Sequence, residues 1–244
     1  MHISLGHLSK AYGGVTALDD VSLEIAAGQI VAIVGANGAG KTTLLRSLAG
    51  LAAPTHGEIC YDGQPFHRGR VDLRRRFAFL PDTPCVYPQM TVLRHIGMAI
   101  RLYGAERPGM EDTVADLLRE FDLLPLAESP LGTLSRGELY KAALVAVLAV
   151  DPEVWMFDEP FASGMDPHGL TAFRRLAREA AARGRTVLYS TQILELAERF
   201  ADAVCVLYRG RLRAFGPVAA LRQPNGDADN VLEALFAELR IGDG

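Results

Sequence analysis

Residues 35–43 read Gly35-Ala36-Asn37-Gly38-Ala39-Gly40-Lys41-Thr42-Thr43, the pattern G-x-x-x-x-G-K-[ST]. Its surroundings give the pattern meaning. The preceding run Ile30-Val31-Ala32-Ile33-Val34 predicts a buried strand. From Lys41 to Ala49, Leu44, Leu45 and Leu48 share one helical face before Gly50 stops the helix. Gly35, Gly38 and Gly40 let backbone N–H groups turn inward and line an anion site at the positive end of that helix. Lys41 then reaches the β- and γ-phosphates, Thr42 offers a hydroxyl to Mg²⁺, Thr43 adds a phosphate contact, and Asn37 completes the loop. The stretch implies a bound nucleoside triphosphate.

A second chemical motif is Val154-Trp155-Met156-Phe157-Asp158-Glu159, an apolar strand ending in two carboxylates. At the carboxyl end of a buried strand Asp158 can hold Mg²⁺ through water. Glu159, one residue on, would point to the γ-phosphate and polarise an attacking water. Alone, the pair reads as solvated acids; together with the phosphate loop it reads as a nucleotide site.

Composition narrows the alternatives. With 244 residues, 49% of them apolar, the chain can bury a large core as one domain. A formal net charge of −4 argues against nucleic acid as a partner. The one basic cluster, His67-Arg68-Gly69-Arg70 continuing to Arg74-Arg75-Arg76, reads as a solvated face. Cys60, Cys85 and Cys205 are scattered and lack metal-ligand spacing, so a reduced cytoplasmic setting is expected. No signal peptide is recognised at the start, and the longest apolar run, Ala142 to Val150, is far short of the ~20 residues that span a bilayer.

The organisation reads as α/β. Val21 to Ile25 alternates before a Gly28 turn, and Gly57 to Tyr61 leads into the hairpin signal Asp62-Gly63, which predicts an antiparallel start. Phe77 to Leu80, Val154 to Phe157, Thr186 to Tyr189 and Val204 to Leu207 predict buried strands. Pro81, Pro84 and Pro88 mark a loop, after which Val114, Leu117, Leu118, Phe121 and Leu124 repeat at helical spacing. The expected division is an α/β core at about 1–82 and 151–217, an inserted helical subdomain at about 83–150, and a helical tail at about 218–244.

Leu134-Ser135-Arg136-Gly137-Glu138 caps the apolar helix that follows, because S-x-x-E is a capping box. It also resembles L-S-G-G-Q, the signature of the ATP-binding cassette (ABC) ATPases, and with the two motifs above the resemblance extends from Ile3 to about Pro217. The resemblance implies a P-loop NTPase (RecA-like) core with an antiparallel β subdomain and an inserted helical one. It further implies that Ser135, Gly137 and Glu138 act in trans on nucleotide held by a second cassette, again at a helix start. Tyr12 matches the aromatic that stacks on adenine, and Ser163-Gly164-Met165-Asp166 resembles the dimer-contacting loop, with Asp166-Pro167 also opening a helix.

Two positions depart from the family's pattern. Where a Gln usually reaches Mg²⁺ after the strand Phe77 to Leu80, this chain has Pro81-Asp82, so Asp82 is the metal-side candidate there. Where a His usually orients the catalytic Glu, it has Gln192, which hydrogen-bonds but carries no proton. The resemblance therefore implies the ATP-binding and hydrolysing subunit of an ABC transporter, using ATP and Mg²⁺. Its partners would be a second cassette and an integral-membrane permease, which would hold it at the cytoplasmic face of the membrane. The loop Asp82 to Met90 with Thr91 to Ile96 is where the family docks its permease, and Leu80-Pro81-Asp82 with Tyr87-Pro88 looks like exporter cassettes. The alternative is a catalytically impaired, regulatory ATP-binding cassette in a heterodimer.

Overall fold

A computed structural model describes residues 1–221; the C-terminal part of the expected tail, beyond 221, lies outside the described residues. Two strands open the chain, β1 (Ile3–Tyr12) and β2 (Val15–Ile25), paired antiparallel across a turn at Gly13 and Gly14. Alternation sends Ile3, Leu5, Val21, Leu23 and Ile25 inward while Glu24 faces water. Then comes β3 (Ile30–Val34), buried at every position, and α1 (Lys41–Leu48). Next, β4 (His56–Tyr61) and the short β5 (Gln64–Pro65) complete a four-stranded sheet in the order β2-β1-β4-β5.

A single turn, α2 (Val71–Arg74), precedes β6 (Phe77–Leu80). The basic run around it is partly consumed: Arg70 pairs with Asp72 at 2.6 Å, and Arg76 bonds both Asp62 at 2.5 Å and Glu153 at 2.7 Å. Three helices intervene before the next strand: α3 (Val92–Tyr103), α4 (Met110–Glu120) and α5 (Arg136–Val150). The helical spacing read through Leu124 overshoots, because α4 stops at Glu120 and Asp122 takes a left-handed conformation at φ 55°, with Pro125 in the short 3₁₀ turn that follows. From Tyr140 onward α5 is buried almost all round, as a central helix must be.

The chain then runs through β7 (Val154–Phe157), α6 (Pro167–Ala182), β8 (Thr186–Thr191), α7 (Leu194–Phe200), β9 (Ala203–Tyr208) and β10 (Arg211–Pro217). A six-stranded sheet results, ordered β10-β9-β3-β8-β7-β6, parallel except for the edge strand β10. Period-two alternation in β3 divides the core: Ile30, Ala32 and Val34 join the cluster with α5 and α6, whereas Val31 and Ile33 join the one with α1 and the smaller sheet. Phe157 meets Phe173 of α6 edge to face at 5.0 Å, a pairing worth about 0.5–1.5 kcal/mol beyond its buried area. Burial on both faces explains why these strands are continuously apolar. Their carboxyl ends point the same way, which is where open parallel sheets bind ligands.

Candidate functional site

The loop 35–40 leaves the carboxyl end of β3 and opens α1. Gly40 has φ 106°, and a Cβ there would lie 2.6 Å from the Ala17 carbonyl oxygen, so neither the conformation nor the space admits a side chain. Gly38 is also left-handed, at φ 79°. Lys41 is 6% exposed and folds back over the loop, with Nζ donating to the Gly35 carbonyl at 2.9 Å and lying 3.3 Å from Glu159 Oε1. A buried ammonium is thus held by backbone carbonyl oxygens of the loop and by a carboxylate.

Asp158 and Glu159 follow β7 directly. Asp158 is 4% exposed, and its Oδ1 accepts from Thr42 Oγ1 at 3.1 Å and from Ser190 Oγ at 2.6 Å. Ser190 Oγ in turn accepts the Glu159 N–H at 2.8 Å. One hydroxyl therefore fixes both carboxylate residues. Ser190 was not singled out in the sequence; its signal is register, since Phe157 lies opposite Tyr189 and the next residues of the two parallel strands must meet. Glu159 itself sits at φ 48°, ψ 49°, a left-handed conformation that costs a non-glycine residue about 1–3 kcal/mol.

These groups line a cleft of about 600 Å³ that Asn37, Gly38, Gly40, Lys41, Thr42 and Thr43 share with Asp158, Glu159 and Gln192. Asp82 also lines it, from the end of β6, and so does Arg136 from the start of α5. Arg136 Nη2 donates to Asp82 Oδ1 at 2.9 Å, a pairing that no motif or spacing in the chain points to. Hard oxygen donors from Thr42 and Asp158 suit Mg²⁺. Among the described residues no cluster of three or more His, Cys, Asp or Glu that could hold a metal ion forms. Gly35 lies just behind the cleft, where a Cβ would strike the Leu207 carbonyl at 2.6 Å.

Tyr12 lies apart from this lining, 46% exposed at the end of β1, with Lys10 Nζ 4.8 Å from its ring centroid. Ser135 caps α5: its Oγ accepts from the Glu138 N–H at 3.3 Å, while Glu138 Oε2 accepts from the Ser135 N–H at 2.8 Å and from its hydroxyl at 2.7 Å. Those bonds hold the Glu138 carboxyl below its ordinary range. Gly137 touches the loop 163–166, and a Cβ on it would lie 2.3 Å from the Gly164 carbonyl oxygen. On the next turn Lys141, 7% exposed, bonds Asp166 at 2.8 Å, and Asp166 accepts the Gly169 N–H at the start of α6. Those hydrogen bonds, the Lys141 one foremost, hold the Asp166 carboxyl down to about 2.

Among the described residues no helix is long and apolar enough to cross a membrane. The ABC transporter family model matches residues 18–162. EcsA, an ABC-type transporter ATP-binding protein of Bacillus subtilis (strain 168), is 33% identical over 237 residues, 97% of this chain and 96% of its own. The hemin import ATP-binding protein HmuV of Thermobifida fusca (strain YX) is 36% identical over 87% of this chain and 76% of its own. A Nod factor export ATP-binding protein of Paraburkholderia xenovorans (strain LB400) is 34% identical over 90% and 72%. Among solved structures, the ATP-binding subunit of an ABC transporter superposes with a TM-score of 0.90 at 32% identity, covering 97% of this chain and 100% of that one. Phosphate loop, paired carboxylates, signature helix and whole-chain similarity converge: the chain belongs to the ABC transporter family, as an ATP-binding subunit and ATPase.

Proposed function

We propose that ATP is bound and hydrolysed in the cleft at the carboxyl ends of β3, β7 and β8. The observation that carries this reading is the convergence there of Lys41, Thr42, Asp158 and Glu159 in one bonded group. Lys41 would exchange its backbone carbonyl and Glu159 for the β- and γ-phosphates, as a charge-assisted bond to phosphate is stronger than one to a neutral carbonyl. Thr42 and Asp158 would hold Mg²⁺, with Asp82 as a further metal-side group, and the ion when bound neutralises charge on the phosphates. Glu159 accepts a proton from the attacking water, and Gln192 orients the γ-phosphate by hydrogen bonding alone. Gly35, Asn37, Gly38, Gly40 and Thr43 cradle the phosphates, and Tyr12 stacks on the adenine.

A second cassette would supply the other wall, through Ser135, Gly137 and Glu138 of its α5 start, so that two nucleotides lie between two chains. The permease would dock in the groove of about 620 Å³ beside the loop after β6, lined by Pro84, Val86, His95, Tyr103, Ala146 and Val147. That docking would hold the chain at the cytoplasmic face of a membrane. Relatives named for import and for export are both similar to this chain, and the Leu80-Pro81-Asp82 pattern is what supports export. Equilibrium titration tests the core of the proposal. Lys41→Ala should lose tight ATP binding, and unchanged affinity would overturn the assignment of the loop.

A further inference from the structure

The cleft's charge balance depends on one residue that none of these roles uses. Among the described residues its ionisable lining consists of two cations, Lys41 and Arg136, and three carboxylates, Asp82, Asp158 and Glu159. Lys41 lies against Glu159 at 3.3 Å, and Arg136 against Asp82 at 2.9 Å. Without Arg136, three carboxylates would face a single ammonium across the space a triphosphate must enter. Carboxylates lining a cleft oppose binding of a polyanion, and cations lining it favour binding.

Arg136 is also well placed to act from a fixed position. It is the first residue of α5, directly after the Ser135 cap, and the helix start is held to the loop 163–166 by the Gly137 seam and by Lys141 bonded to Asp166. The Arg136 and Asp82 side chains are 64% and 45% exposed, so water and ligand both reach them. Asp82 lies at the end of β6 in the core and Arg136 on the inserted helices, so the ion pair joins the two parts across the cleft mouth.

We propose that Arg136 acts within its own chain to neutralise Asp82, and that this lets the cleft accept a nucleotide polyphosphate that no divalent cation accompanies. The proposal rests on the reading of the cleft as the ATP site. It makes Arg136 a binding residue for the chain that carries it, separate from any contact the α5 start makes with a second cassette.

The experiment is an equilibrium titration of the purified full chain with ATP in EDTA and again in Mg²⁺. Arg136→Ala should weaken binding about tenfold in EDTA and less in Mg²⁺, because a bound cation takes over part of the compensation. Arg136→Lys, which keeps the charge, should stay close to the parent. Adding Asp82→Asn to Arg136→Ala should restore affinity to within about twofold, a rescue that a merely structural role would not show. Parent affinity for Arg136→Ala in EDTA, or no rescue by Asp82→Asn, would overturn the proposal. Lys41→Ala distinguishes the two levels: if it too binds normally, the ATP-site reading fails, and if it alone loses binding, only the role of Arg136 does.

Discussion

Glu159 Oε1 lies 3.3 Å from Lys41 Nζ, so the proposed catalytic carboxylate and the proposed phosphate-binding ammonium form an ion pair within the cleft. On the proposed reading, entry of ATP would part them, since Lys41 would not serve Glu159 and a γ-phosphate equally. The same arrival that fills the cleft would then free the proposed catalytic carboxylate to act on water.

Glu159→Gln should therefore keep or tighten ATP binding, because Lys41 loses an internal competitor, while turnover falls by about 10²–10⁴. Accumulation of an ATP-bound dimer by sizing with Mg²⁺-ATP is the accompanying expectation. Hydrolysis at the parent rate would remove Glu159 from the catalytic role.

Gln192 lines the cleft beyond the end of β8 and is exposed, so it can move onto a phosphate oxygen. Steady-state ATPase assays should show slow hydrolysis in the parent, a further loss in Gln192→Ala, and a maintained or higher rate in Gln192→His. Equal rates in the parent and Gln192→Ala would exclude the residue from the mechanism. Absence of any Glu159-dependent turnover would favour the regulatory alternative.

Lys141 and Asp166 make stability depend on acid. The Asp166 carboxyl is depressed from an ordinary 3.8 to about 2, so its contribution is present in full above about pH 4 and is lost as pH falls toward 2. Lys141→Met keeps the stem's packing and removes the bond. Urea midpoints measured between about pH 2 and pH 5 should fall less steeply for the variant than for the parent, with the gap closing at the acid end. Parallel curves would mean that the pair carries no acid-linked stability.

Much of this site was legible because its chemistry is local. Gly35 to Thr43 encloses strand end, turn and helix start in nine consecutive residues, and Asp158-Glu159 ends an apolar run that length alone marks as a strand. Contacts made by topology were not legible. Ser190 meets Asp158 only because β8 lies beside β7, and Arg136 meets Asp82 only because α5 packs back toward the end of β6. Helix α3 was passed over for another reason: Val92, Ile96, Ala99, Ile100 and Tyr103 hold helical spacing behind the Thr91 cap, but the three prolines just before them drew attention to the loop. Phe121 and Leu124 kept the helical spacing of α4 past the point where Asp122 turns left-handed, which shows how periodicity outruns the backbone.

The left-handed backbone of Glu159 sets conformational strain and charge pairing against each other at one residue. Glycine would relax the conformation but would leave the buried Lys41 ammonium without its carboxylate, so relief of about 1–3 kcal/mol of strain would be set against loss of a buried charge partner.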